Sequence, residues 1–115
     1  MSVILRFEPS ARMSQAAVHG DTIYLAGQVG AGTDVAAQTR AALGEIERLV
    51  VLAGGAKASI LSVIVWLADM QDFAAFNAVY DAWIDPESKP VRACGEARLA
   101  TSDYLVEIMV VAARM

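Results

Sequence analysis

The chain holds one cysteine, Cys94, and one histidine, His19, in 115 residues. A single cysteine excludes an internal disulfide, which suits a reducing compartment and points to the cytoplasm. One histidine beside one cysteine makes a His/Cys zinc site within one chain implausible. Charge is also scarce: 19% of residues are charged, and the net charge is −4. No cluster of Lys and Arg forms a basic face, so nothing favours binding to nucleic acid. Long apolar runs are missing. "ILSVIVWLA" and "IMVVAA" fall far short of the roughly 20 residues that span a bilayer. The opening "MSVILRFEPS" turns polar too soon for a signal peptide.

What the chain has in excess is apolar residues, at 57%. One domain spanning 1–115 has the usual size. Such a domain accommodates the excess if its sheet is covered on both faces, by helices on one side and by partner subunits on the other.

The order of elements reads β-β-β-α-β-α-β-β, without a linker or repeat. "VILRF" fits a short strand. "SQAAVHG" and "TIYLAGQVG" flank Gly20-Asp21, a hairpin signal. Thr33 or Asp34 can cap a helix over Val35–Leu52. Leu43, Ile46 and Val50 recur on one side of it, with Leu49 and Ala53 beside them, and Arg40, Glu47 and Arg48 on the wet side. Gly54-Gly55 stops it. Gly44, inside this helix, is assigned to close packing of helix on sheet. "SILSVIVWLAD" is apolar on both parities and reads as a central strand covered on both faces. Asp69 can cap a second helix bearing Phe73, Phe76, Tyr80 and Trp83 in one stripe, ended by "DPESKP". Strands over 90–98 and 104–112 follow. The pattern predicts an α+β fold with both helices on one face of the sheet.

Five positions stand out chemically. Arg92 and Cys94 are two apart in a strand and share a face. Arg92 presents a planar fork that matches a carboxylate, or is simply a surface arginine. Cys94 is a nucleophile or a plain small core residue, and no histidine is well placed to activate it. Glu107 is a lone acid in an apolar strand. It is a general acid/base, or an ion-pair partner of Arg98 or Arg114. Asn77 lies on the apolar stripe of the second helix, where its amide ties down a loop or meets a ligand. Gly27, before Gln28, marks a bulge or a close backbone approach. The spacing from Gly27 to Gly30 is no phosphate loop, since no Lys-Ser/Thr follows.

Five pieces in this order resemble the RidA/YjgF family of reactive-intermediate (enamine/imine) deaminases, over nearly the whole chain. They are "MSQAAVHGDTIYLAGQVG", "VAAQTRAALGEIERLVVLAGG", "VIVWLADMQDFAAFNAVYDAW", "PVRAC" and "VEIMVVAA". The resemblance implies a chorismate-mutase-like homotrimer, with sheets forming an inner barrel, helices outside and ligand clefts between subunits. It implies that Arg92 clamps a substrate carboxylate, that Cys94 lines the cleft with its backbone amide near the reacting group, and that Glu107 positions or activates water. The implied substrates are 2-imino or 2-enamino acids, and the products 2-keto acids and ammonia, with no cofactor or metal. Met13 stands where relatives often carry Tyr, and Ala26 where they often carry Ser. Both positions border the cleft and make it more apolar. "RACGEARL" is one residue short of the family's usual run, and a bulge near Gly95 is expected to absorb the difference. The alternative activities are a non-catalytic trimer that binds small keto acids or related metabolites, and the ribonuclease label some relatives carry. The acidic balance and the absence of a histidine pair weigh against the ribonuclease.

Overall fold

A computed structural model describes residues 3–115. Its elements are β1 (Ile4–Pro9), β2 (Ser14–His19), β3 (Thr22–Leu25), α1 (Val35–Leu52), β4 (Ile60–Leu67), α2 (Phe73–Trp83), β5 (Val91–Glu96) and β6 (Val106–Ala113). Short 3-10 turns precede β4 and α2. The strands form a six-stranded sheet ordered β1-β2-β3-β6-β4-β5. The β4–β5 pair is parallel and the other pairs are antiparallel. The fold is therefore α+β with a mixed sheet. No described helix is long and apolar enough to cross a membrane.

Local chemistry explains the boundaries. The β2–β3 turn runs through Gly20, whose φ of 62° is left-handed and favours glycine. Asp34 caps α1, its Oδ1 accepting from the Ala37 N–H at 2.8 Å. At the other end Gly54, at φ 103°, reverses the chain, and the Gly55 N–H returns to the Val50 carbonyl. Asp69 caps the 3-10 turn Met70–Asp72 rather than α2 itself, which begins at Phe73.

Both helices lie on one face of the sheet. Ile23, Val63, Val65, Val106, Ile108 and Val110 point up from the strands, and Leu43, Ile46, Leu49, Val50 and Phe76 point down from the helices. All of them are buried. The opposite face is covered by no element among the described residues. Tyr24 is 51% exposed, Trp66 40% and Met109 37%. The helices supply the cover expected for one side of β4; the side expected to meet partner subunits is bare in the single chain.

Three other expectations change. Gly44 has nothing within 4 Å of the position a Cβ would take, so sheet packing does not require it. It lies on the outer side of α1, along a trough shared with Arg40, Ala78 and Trp83. No bulge forms at Gly95, which keeps register opposite Trp66. A Cβ there would meet the Trp66 ring at 3.3 Å, so glycine makes room for the indole. The irregularity falls instead between Ile60 and Ser62, where Leu61 is the extra residue against β6. The last two strands are also narrower and later than expected, which leaves 97–105 as a loop.

Gln38 holds that loop. It is 3% exposed, near the start of α1. Its Nε2 donates to the carbonyls of Gly32 (3.1 Å) and Asp103 (2.9 Å), and its Oε1 accepts from the Leu105 N–H (2.8 Å). Gln38→Met keeps the volume and strands these backbone groups. We expect a loss of about 2–4 kcal/mol, read as a lower urea midpoint at fixed protein concentration. An unchanged midpoint would show that the loop is held by other contacts.

Candidate functional site

The strand register decides where each candidate side chain goes. Arg92 pairs with Val63 and Cys94 with Val65, so both lie on the helix face. The Arg92 guanidinium sits beneath α2, 4.8 Å from the Tyr80 ring centre, 5.6 Å from Phe76 and 5.9 Å from Phe73. Aromatic faces attract a cation and hold its plane. Arg92 forms no ion pair among the described residues, so its donors remain available.

Beside it opens a cavity of about 470 Å³ between α2 and the segment leading into β5. Asn77, Tyr80, Asp81, Lys89 and Arg92 line it. The Oδ1 of Asn77 is buried and has no hydrogen-bond partner. Asn77 therefore ties down no loop through this oxygen, and the residue lines the same cavity as Arg92. Burial raises the Tyr80 hydroxyl above its ordinary range, with Arg92 opposing and Asp81 adding to the shift. Burial likewise pushes the Cys94 thiol up, and Arg92 offsets part of it. A thiol shifted this way is a poor nucleophile at neutral pH.

Glu107 pairs with Trp66 and therefore points to the bare face, away from Arg92. It is half-buried there, and it makes no ion pair with Arg98 or Arg114. Its carboxylate lies against Gly27: a Cβ built on Gly27 would stand 2.2 Å from Oε2 and 3.0 Å from Cδ. Gly27 is thus a close approach, and only a residue without a side chain leaves the carboxylate where it is. It also lies where the register against β6 shifts by one residue, from Tyr24 opposite Val111 to Gln28 opposite Ile108. Ala26 beside it donates its N–H to the Gln15 carbonyl at 2.9 Å. Met13 is 44% exposed, and its carbonyl accepts from Ser10 just before β2. His19 is exposed at the hairpin turn. Among the described residues, no three His, Cys, Asp or Glu side chains converge as metal ligands.

The structure therefore joins Arg92, Cys94 and Asn77 in one place and Gly27 and Glu107 in another. Periodicity alone does not reveal this division. It depends on β6 lying between β3 and β4, which no local signal encodes. Tyr80 is the lining residue that reading the stripe as pure core overlooked.

A mixed six-stranded sheet backed by two helices, with a bare apolar face, is the architecture of a known group of proteins. The family model described as Endoribonuclease L-PSP matches residues 3–114. A "RutC family protein" of Haemophilus influenzae is 41% identical over 112 residues, covering 95% of this chain and 97% of its own. The crystal structure of a YjgF-family member from Neisseria meningitidis superposes with a TM-score of 0.97 at 38% identity, over 98% of this chain and 96% of that one. The chain belongs to this RidA/YjgF family. A protein named 2-iminobutanoate/2-iminopropanoate deaminase, from Escherichia coli, is 35% identical over 83 residues, or 70% of this chain and 65% of that protein.

The burial of Cys94 yields a direct expectation. At neutral pH its thiol stays protonated, and iodoacetamide alkylates it slowly. The rate climbs only above the ordinary thiol range near pH ~8.5. Fast alkylation already at pH 7 would restore the nucleophile reading.

Proposed function

We propose that this protein hydrolyses 2-imino and 2-enamino acids to 2-keto acids and ammonia, in clefts shared between copies of a homotrimer. The observation that carries the proposal is the division of the site. Arg92 and Glu107 lie on opposite faces of one sheet, so one substrate meets both only if they come from different copies. The bare apolar face supports the assembly, since an uncovered patch of this kind marks an interface. The relative named as an iminoacid deaminase supports the chemistry.

In this reading the guanidinium of Arg92 takes the substrate carboxylate in bidentate fashion. The rings of Phe73, Phe76 and Tyr80 hold its plane in advance, which lowers the cost of ordering it. Asn77 Oδ1 is an acceptor suited to a substrate N–H. Cys94 shapes the wall and offers its backbone amide. Glu107 of a neighbouring copy orients a water molecule and accepts its proton as the oxygen attacks the imine carbon. The new C–O bond and the opened C=N bond leave a tetrahedral amino alcohol. Proton return to nitrogen makes it a leaving group. The C–N bond breaks as the hydroxyl oxygen forms the C=O bond and gives up its proton, so that ammonia leaves as ammonium and a 2-keto acid remains. An enamine first becomes the imine by protonation at carbon. A protonated imine carbon is electrophilic, so these steps run without a cofactor. Met13 and Ala26 keep their part of the cleft apolar, which suits small aliphatic side chains. RNA cleavage, despite the family's name, finds no support in a net charge of −4 and a lone, exposed His19.

Two variants and their mixture test the proposal, with imines generated by an amino-acid oxidase and ammonia release measured. Glu107→Gln keeps the shape but not the proton transfer, and should lower turnover roughly 100-fold. Arg92→Lys loses the fork and should cost about 2–3 kcal/mol, or roughly 30- to 200-fold. Unfolding the two proteins together and refolding them as mixed trimers should restore activity. In a random 1:1 mixture about a quarter of the clefts receive an intact Arg92 from one copy and an intact Glu107 from its neighbour. Mixtures no more active than their components would contradict the shared cleft. Keto-acid binding without ammonia release in the wild type would favour a non-catalytic metabolite binder.

A further inference from the structure

Gln28 is a buried polar residue that the proposed reaction leaves unused. It is 6% exposed, and its side chain makes two contacts. Its Nε2 donates to Gln15 Oε1 at 2.8 Å and to the Ala26 carbonyl at 3.1 Å. The Ala26 carbonyl only accepts, so the amide nitrogen of Gln28 must face it. The same nitrogen reaches Gln15, which must then present its oxygen. Both amide orientations are set by that one carbonyl.

The backbone of Gln28 is tied as tightly. Its N–H donates to the Ile108 carbonyl at 2.7 Å, and its carbonyl accepts from the Ile108 N–H at 2.9 Å. Ile108 directly follows Glu107. On the other side the Ala26 N–H donates to the Gln15 carbonyl. Residues 26–28 are thus clamped between β2 and β6, and the glycine at their centre touches the Glu107 carboxylate. A wall this close transmits its own displacement. If the segment shifts by a fraction of an ångström, the carboxylate shifts too. An apolar residue would fill the site of Gln28 without the cost of burying an amide. What the amide adds is a fixed location for the segment.

We propose that Gln28 is a positioning residue for Glu107, with Gln15 as the acceptor that completes the clamp. The role rests on the reading that Glu107 activates water. It makes an asymmetric demand. Gln28 must donate, whereas Gln15 must accept.

The same Gln→Glu change at the two positions tests this on the assembled protein. Gln28→Glu sets a carboxylate against the Ala26 carbonyl, which cannot turn to donate as the Gln15 amide can. Turnover should fall about tenfold or more, while 2-keto acid affinity, set by Arg92, stays within about twofold. Gln15→Glu keeps the acceptor and should retain turnover within about twofold. In a Glu107→Gln background, Gln28→Glu should cost nothing further, because the two act as one unit. Equal losses in both backgrounds, or full activity of Gln28→Glu, would overturn the proposal. If Gln28→Glu does not fold, Gln28→Met removes the donor without adding charge. A readout independent of activity separates this inference from the catalytic reading. The carboxyl-carbon resonance of Glu107 should move in Gln28→Met at fixed pH. An unmoved resonance overturns the positioning role, whatever the kinetics. A moved resonance with full turnover in Glu107→Gln supports the positioning and removes the water-activating role.

Discussion

Side chains along a strand alternate between faces, and β6 cannot escape that alternation, since β3 and β4 flank it on either side. Val106, Ile108, Val110 and Ala112 go under the helices and are buried almost completely. Glu107, Met109, Val111 and Ala113 must then go the other way. The core and the acid are therefore set by one choice of register. Slipping β6 by one residue would put a carboxylate among Leu43, Ile46 and Phe76 and strip the core of its strand contribution. The identity of the helix-facing residues keeps Glu107 where it is, more firmly than any contact Glu107 makes.

The same constraint organises β5. Its parallel pairing with β4 puts Arg92 and Cys94 level with Val63 and Val65, on the buried side. A guanidinium on that side needs a surface that tolerates charge, and the ring stripe of α2 supplies one. Phe76 and Tyr80 stack at 5.8 Å between ring centres, and Tyr80 and Trp83 at 6.3 Å. The stripe thus packs the core through Phe76 and Tyr80, and it meets Arg92 over Phe73, Phe76 and Tyr80 and Lys57 over Trp83. Arg92 rests against three rings without an acidic partner, which leaves its charge open to a ligand. An arginine already paired with a carboxylate would have little left to offer.

Much of this was legible in the residues. Asp34, Gly54 and the periodicity of Leu43, Ile46 and Val50 mark α1 to both of its ends, because caps and amphipathic spacing are local signals. Gly20-Asp21 marks the β2–β3 hairpin for the same reason. The shared face of Arg92 and Cys94 comes from spacing alone. Other features depend on neighbours distant in the chain. Which face Glu107 takes relative to Arg92 depends on strand order. Gln38 looks like an ordinary helix residue until the loop at 103–105 folds back onto it. Gly95 suggested a bulge, but it only makes room for Trp66, and the extra residue sits at Leu61 instead. Gly44 shows the converse: a glycine inside a helix invites a packing explanation, and the structure has open space there.

The bare sheet face has a consequence for the newly made chain. Once the helices have docked, Tyr24, Trp66 and Met109 still face water, between the open edges of β1 and β5. Folding is then complete as a unimolecular event but incomplete as burial. Under the proposed assembly the chain enters a race between encounters: matching copies would cover the face, and wrong partners would join it by the same apolar attraction or by pairing with an edge strand. Both outcomes accelerate with concentration, so crowding alone does not choose between them. Discrimination would then have to come from shape, and the single-residue irregularity at Leu61, at the start of β4 and one strand in from the edge, is one feature that a mismatched partner would fail to fit.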